Sequence, residues 1–200
     1  QTVIIIIHTK YGKIVYANDF KFDNYPVLGT KPKIPRLAEI GKENVLCLIS
    51  DSLYAHEHRK MPSESVARQM MKDVLLGTNC DGKAVVITTF SSHIARLKSI
   101  VDYGTRMGRK IVFMGRSLHK YISAAEEVNI AKLSEKAEIV KYGSKIKSKL
   151  KKIIKEGKEK YLIVVTGHQG EPQSTLSKMI EGLFPFQPGD HIVFSSSVIP

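Results

Sequence analysis

The chain opens on a β-branched run, Thr2 to Ile7, followed by a turn at Tyr11-Gly12 and a second apolar stretch from Lys13 to Tyr16. β-Branched residues on both sides of a glycine turn predict a β-hairpin. A loop follows. From Val45 onward short apolar strands alternate with longer segments of three- and four-residue apolar spacing. The expected elements are strand Val45 to Ile49, helix Ser65 to Leu76, strand Ala84 to Ile87, helix Ser92 to Met107, strand Ile111 to Met114 and helix Leu118 to Val128. A less regular basic segment separates these from strand Tyr161 to Val165, helix Pro172 to Gly182 and strand His191 to Phe194. Val66, Met70 and Val74 recur at four-residue spacing, and Ile94, Leu97 and Val101 at three and four, which marks core stripes on two helices. This alternation predicts an α/β fold: a Rossmann-like parallel sheet flanked by helices on both faces, preceded by the hairpin. The sequence has no internal repeat and no Gly/Ser-rich or Pro-rich linker.

A hydrophobic content of 42% over 200 residues is enough for a sizeable core. The only long apolar run is too short to span a bilayer and lacks the flanks of a signal peptide, so no membrane partner is expected. Cys47 lies in an apolar strand-like run and Cys80 in a polar turn, without CxxC spacing; this suggests neither a disulfide framework nor a zinc knuckle, and a reducing cytoplasm fits. Lys and Arg number 31 against 19 Asp and Glu, and the net charge of +12 favours a polyanion through counterion release. Part of that excess, from Lys141 to Lys160, reads equally well as a solvated helix face. Gln1 begins inside a strand-like run and Ser195-Ser196-Ser197-Val198-Ile199-Pro200 ends as abruptly, as expected of a segment of a longer chain.

Ligands of an open parallel α/β sheet bind at the carboxyl ends of its strands. The loops expected there are Ser50-Asp51-Ser52, Thr89 to His93, Gly115-Arg116-Ser117, Thr166-Gly167-His168-Gln169-Gly170-Glu171-Pro172 and Ser195-Ser196-Ser197. Helix N-termini present unpaired N–H groups, and Ser91, Ser92 and Ser117 add hydroxyl donors, a combination suited to phosphate. Gly167 and Gly170 allow close approach to the backbone, with Pro172 as the expected first helical residue. Any one serine also reads as an N-cap and any one glycine as a turn. Five such loops at one edge point instead to an anion platform, which suits RNA, a nucleotide or a sugar phosphate. His56 and His58 form an HxH pair with no acidic or cysteine partner at metal spacing and read as surface histidines. His119 is expected to face solvent, and His8 is unassigned.

The motifs carry a family resemblance. Asn18-Asp19-Phe20-Lys21-Phe22-Asp23 resembles the DFKFD segment of ribonuclease J, and Ser50-Asp51-Ser52 the acidic motif A of β-CASP proteins. Thr89 to Arg96 is similar to the family's ATFASNIHR, Gly108-Arg109-Lys110 and Gly115-Arg116-Ser117 to NGRK and GRS, Thr166 to Pro172 to TGSQGEP, and Pro188-Gly189-Asp190 to Pro200 to PGD followed by SSSPIP. In their joint order these resemble the β-CASP metallo-β-lactamase family, archaeal members above all.

The resemblance implies that residues 1–40 end a metallo-β-lactamase core segment and that residues 41–200 form a β-CASP domain incomplete at its C-terminal end. It implies a ribonuclease with two zinc ions that cuts single-stranded RNA from a 5′-monophosphate end and sometimes internally. Asp19 matches a metal-bridging aspartate and Asp51 a catalytic acid. The implied RNA and phosphate contacts are Ser91, Ser92, His93, Arg116, Ser117, Gly167, His168, Gln169, Gly170, Glu171, Ser195, Ser196 and Ser197. The intact protein of such a family is compatible with homo-oligomers. His168 and His93 stand where the bacterial pattern has Ser and Asn. The family's HxHxDH motif is expected before this chain and its downstream histidines after it, so the segment alone is expected to be inactive. The alternative is a non-catalytic α/β module that binds RNA or a nucleotide on the same edge.

Overall fold

The structure is a computed structural model and describes residues 3–58 and 60–196. The chain divides into two compact units, Gln1–Ala67 and Arg68–Pro200.

In the first unit β1 (Ile4–Thr9) and β2 (Gly12–Ala17) form the expected hairpin. The Thr9 hydroxyl accepts the N–H groups of Tyr11 and Gly12, each at 3.2 Å, and donates to the Gly12 carbonyl at 2.7 Å. The loop beyond contains α1 (Ile34–Gly41), started by a proline and too short for its apolar spacing to stand out in sequence. β3 (Val45–Ser50), which the alternation groups with the later parallel sheet, pairs instead in parallel with β2. Gly12 makes this neighbour possible. Its φ is +147°, and a Cβ there would lie 2.7 Å from the Asn44 carbonyl and 2.8 Å from Leu46 Cγ. The approach is locked by Lys13 N–H donating to Asn44 O and by Asn44 Nδ2 donating to Tyr11 O, both at 2.8 Å. An apolar strand has one pattern whichever strand it pairs with, so sequence periodicity does not reveal this partner. Ile5, Ile7, Leu46, Leu48 and Ile49 stay exposed on this three-stranded sheet.

The second unit begins within α2 (Glu64–Gly77). It continues through β4 (Val85–Thr88), α3 (Ile94–Arg106), β5 (Lys110–Met114) and α4 (Arg116–Glu127). β6 (Ala137–Val140), α5 (Gly143–Glu156) and β7 (Tyr161–Val165) follow. α6 (Thr175–Lys178) runs into a wider π-helical turn at Met179–Leu183, and β8 (His191–Phe194) closes the unit. The five strands are parallel, in the order β6-β5-β7-β4-β8. Val86, Val112, Met114, Ile163 and Val165 share one core with Ile146, Leu150 and Ile153 of α5 and with Leu176 and Met179. α3 covers the opposite face: a Cβ on its Gly104 would lie 2.6 Å from Leu162 Cδ2. The α/β sheet flanked by helices is therefore as the pattern predicts.

Three expectations are corrected here. The basic segment holds an unexpected edge strand, β6, with Ala137 and Val140 buried and Glu138 exposed, ahead of α5, which falls where Lys141 to Lys160 reads as a solvated helix face. The Val66, Met70 and Val74 stripe of α2 is exposed and Met71 and Leu75 are buried, because this helix carries apolar residues on two flanks and spacing alone does not choose between them. The helix expected from Pro172 begins at Thr175: Gly170 (φ +74°) and Gln173 (φ +65°) turn the chain first, and Ser174 then caps by accepting Ser177 N–H at 3.1 Å. The stripe on α3 holds, with Ile94, Leu97 and Val101 buried.

Two charged residues close the amino ends of the strands. Arg109 donates to the carbonyls of Cys80 (2.7 Å), Lys83 (3.0 Å) and Tyr161 (3.2 Å). The Asp190 side chain, 2% exposed, accepts from Ala84 N–H and Gln187 N–H, each at 2.9 Å, and from Lys158 Nζ at 2.6 Å. Burial works to raise the Asp190 pKa, but the lysine and the two N–H groups outweigh it and hold the group below the ordinary carboxylate value. Replacing Asp190 by Ala strands Lys158 and two N–H groups, and should cost about 3 kcal/mol in urea unfolding. Because the folded-state pKa is the lower one, the stabilisation is present above about pH 4 and should fade as pH drops through the folded-state value. A loss below about 1 kcal/mol would show that Asp190 does not anchor the sheet.

Candidate nucleic-acid interface

The chain steps from β4 through β5 to β6 toward one edge of the sheet and from β7 to β8 toward the other, with α3 packed on one face and Leu176 of α6 on the opposite one. β4 and β7 are therefore neighbours whose following helices leave on opposite faces, and the crevice between their carboxyl ends is where such sheets bind ligands. The strands stay close past their ends, with Thr89 N–H 3.4 Å from Val165 O.

Buried polar atoms without partners collect at this edge. His168 is 7% exposed, its ring stands edge-on to Phe90 with centroids 3.9 Å apart, and neither ring nitrogen has a hydrogen-bond partner among the described residues. Burial lowers its pKa against the smaller opposing effect of Glu171, so the imidazole is neutral at pH 7. Thr88 Oγ1, on a wholly buried residue of β4, and Ser196 Oγ, beyond β8, are likewise unpartnered. Each such group costs about 1–3 kcal/mol unless a ligand or water satisfies it. The three residues stand at the ends of three adjacent strands.

Glycines shape the loop beyond β7. Gly167 has φ +123°, and a Cβ there would collide with the Ser174 hydroxyl and lie 2.8 Å from Leu176 Cβ. Gly170, at φ +74°, has no atom within 4 Å of where its Cβ would stand, so its backbone is open to an approaching group. Gln169 N–H donates to the Glu171 carboxylate at 3.0 Å, which folds the loop on itself.

Other expected contacts fall in different places. α3 starts at Ile94 after His93, which makes no side-chain cap bond, so Ser91 and Ser92 lie in the turn before the helix and not at its first residues. Ser195 is held rather than free: its N–H donates to Thr88 O at 2.9 Å, its hydroxyl accepts from Arg96 at 2.9 Å, and its carbonyl takes a further bond from Arg96. Arg96 is thus a positioning residue that the motif contained and the expected contacts omitted; its place on the first turn after β4 was the available signal. Arg116 and Ser117 are exposed at the start of α4, whose N-cap Gly115 has no side chain to satisfy the first N–H groups. Ser197 lies outside the described residues. Ser50-Asp51-Ser52 follows β3, a strand of the three-stranded sheet and not of the five-stranded one.

In the first unit, Ala17 of β2 stands opposite Ser50 of β3, and the loops bearing Asp19 and Asp51 leave these parallel strands at one edge. Both aspartates are exposed, and Asp51 accepts the Leu53 N–H at 3.3 Å. His8 pairs with Lys13 toward the opposite end of the sheet and takes no part in that edge. Asp23 has another task. It accepts from Ser63 Oγ (2.6 Å), Glu64 N–H (2.7 Å) and Tyr25 N–H (2.9 Å), and these bonds overcome its desolvation and hold its pKa at about 2. It starts α2. Among the described residues no three His, Cys, Asp or Glu side chains gather as a metal site. Asp19 alone offers one carboxylate, so these residues do not fit a complete dinuclear zinc centre.

The parallel sheet, its crevice at the strand-order reversal and its glycine-lined carboxyl edge define a Rossmann-like α/β domain. Residues 82–200 match the family model for the ribonuclease J β-CASP domain, and the chain belongs to that family. Over its whole length it is 44% identical to Ribonuclease J of Methanocaldococcus jannaschii and, again over its whole length, 42% identical to that of Pyrococcus abyssi. Ribonuclease J 1 of Streptococcus pyogenes is 36% identical, also over the whole chain. The chain spans 45%, 44% and 34% of these relatives, less than half of each. No helix among the described residues is long and apolar enough to cross a membrane.

The buried imidazole has a measurable consequence. His168 is less readily protonated folded than unfolded, so the unfolded chain takes up the extra proton below about pH 6.5 and stability falls with pH there. Thermal unfolding from pH 8 to 5 should show the wild type losing stability relative to His168→Gln, whose side chain does not titrate. Parallel profiles for the two proteins would overturn the burial argument.

Proposed function

We propose that this chain is the RNA-binding portion of a zinc-dependent ribonuclease acting from the 5′ end of RNA, together with one acidic edge of its catalytic core. The observation that carries the proposal is the row of unpartnered buried polar atoms, Thr88 Oγ1, the His168 ring nitrogens and Ser196 Oγ, beside the open backbone of Gly170. Phosphates offer acceptors in several directions and would satisfy the hydroxyls and the one imidazole N–H that face them. A neutral imidazole donates to a phosphate oxygen through one ring nitrogen, and its pKa rises when the phosphate binds. The same chemistry suits a 5′-monophosphate end, whose extra charge strengthens each bond. The glycines exclude side chains from the path of the sugar-phosphate backbone. Family membership supports RNA over a mononucleotide, and the net charge of +12 supports a polyanion.

Asp19 and Asp51 at one sheet edge are proposed as the acidic contribution to catalysis, with Asp19 as a zinc ligand and the remaining ligands outside the described residues. Purified on its own, the chain should take up fewer than two zinc ions per molecule and leave RNA uncut. Two bound zinc ions measured by equilibrium dialysis would defeat this assignment.

The crest is tested by a substitution that separates stability from binding. Thr88→Val keeps the side-chain shape and removes a buried hydroxyl without a partner, so it should stabilise the fold by up to about 1 kcal/mol. The same change should weaken RNA binding by about 1 kcal/mol or more, and more for RNA with a 5′-monophosphate than with a 5′-hydroxyl. Unfolding curves and binding isotherms at one salt concentration read both quantities. A variant that gains stability and keeps wild-type affinity for both RNAs would sink the proposal.

A further inference from the structure

The sequence of α5 places Ile146, Leu150 and Ile153 against the sheet, which leaves its lysines on two flanks. One flank, Lys145, Lys149 and Lys152, lines an open groove of about 830 Å³ beside the edge strand β6, with Lys141, Tyr142 and the half-buried His119 of α4. Lys149 pairs with Glu138 of β6, and Lys152 lies 3.6 Å from Glu156. Lys141 and Lys145 have no carboxylate partner among the described residues. Between them in sequence stands Tyr142, 50% exposed, with Lys141 Nζ 5.1 Å from its ring centroid. The N–H groups of the first turn of α5, which no side chain caps, open beside it.

This groove begins at the carboxyl end of β6, the same sheet edge as the crest. Two strand spacings, about 10 Å, separate the ends of β6 and β7, and the exposed Arg116-Ser117 pair after β5 lies between. We propose that the groove is a second RNA contact: single-stranded RNA leaving the crest crosses Arg116, sets phosphates on Lys141 and Lys145, and stacks a base on Tyr142. The proposal rests on the RNA-binding reading of the crest and adds a place that reading does not need. An acidic peptide would satisfy the lysines and leave the aromatic face unused, whereas cations flanking an exposed ring are what an unpaired strand engages.

Binding of the full chain to 5′-phosphorylated RNAs of about four and about twelve nucleotides tests this. Tyr142→Ala should weaken the longer RNA about 5- to 100-fold and leave the shorter one unchanged, and Tyr142→Phe should restore the wild-type value. Lys141→Gln and Lys145→Gln should each reduce the salt dependence of the longer RNA by about 0.7 in log–log slope. Thr88→Val should weaken both lengths. If Tyr142→Ala, folded by circular dichroism, binds the longer RNA like wild type while Thr88→Val does not, the groove is overturned and the crest stands. If polyglutamate displaces the longer RNA equally well from wild type and Tyr142→Ala, the groove is an acidic-peptide site instead. If neither RNA binds the wild type, both readings fall.

Discussion

A parallel sheet covered on both faces has no lateral surface left for chemistry, and the β-CASP unit follows from that constraint. β4, β5 and β7 are almost wholly buried, so any polar function must lie at the strand ends. The two ends are treated oppositely. At the amino ends, Arg109 and Asp190 satisfy carbonyls and N–H groups of several strands at once. At the carboxyl ends, the side-chain polar atoms of Thr88, His168 and Ser196 have no hydrogen-bond partner among the described residues. The same few kcal/mol per polar group that stabilises one edge is withheld at the other. A fold selected for stability alone would fill both.

The division of charge matches this asymmetry. The buried crest groups carry no net charge, while the lysines stand on the outer flanks of α5 and beyond β6. Neutral donors in a low-dielectric crevice gain most from a phosphate that arrives already positioned, since no buried cation must be desolvated before it binds. Exposed lysines act at longer range, raise the local concentration of the polyanion and are screened by salt. On the proposed RNA-binding reading, specific recognition and attraction depend on different residues and respond differently to ionic strength.

How much of this can be read from the sequence depends on what each segment packs against. β4, β5, β7 and α3 are buried on several sides and carry uninterrupted apolar patterns that match their observed bounds closely. β6 is hidden in the basic segment, because an edge strand of four residues shows little periodicity, and α5 reads only as a solvated face, because its lysines outweigh its three buried apolar residues in composition. The pairing of β3 with β2 depends on one glycine and one asparagine, Gly12 and Asn44, that no periodicity registers. The crest loops were legible as a group, since serines and glycines after successive strands are a chemical pattern. Which polar atoms are satisfied within them was not. Ser195 looks like Ser196 in sequence, yet Arg96 of α3 bonds the first, while the second has no hydrogen-bond partner among the described residues.

The acidic motif of the first unit shows the same limit at the scale of one side chain. Asp19 and Asp23 lie four residues apart and are chemically identical, and only their donors separate them. Asp23 receives two N–H groups and a hydroxyl, so its charge is already compensated by the start of α2 and by its own loop. A carboxylate that accepts three hydrogen bonds, with its pKa held at about 2, has most of its lone pairs already engaged by the fold. Asp19 accepts none among the described residues and stands beyond the end of β2, one strand away from the loop of Asp51. Of the two aspartates, the one that does least for the fold is the one proposed as a metal ligand.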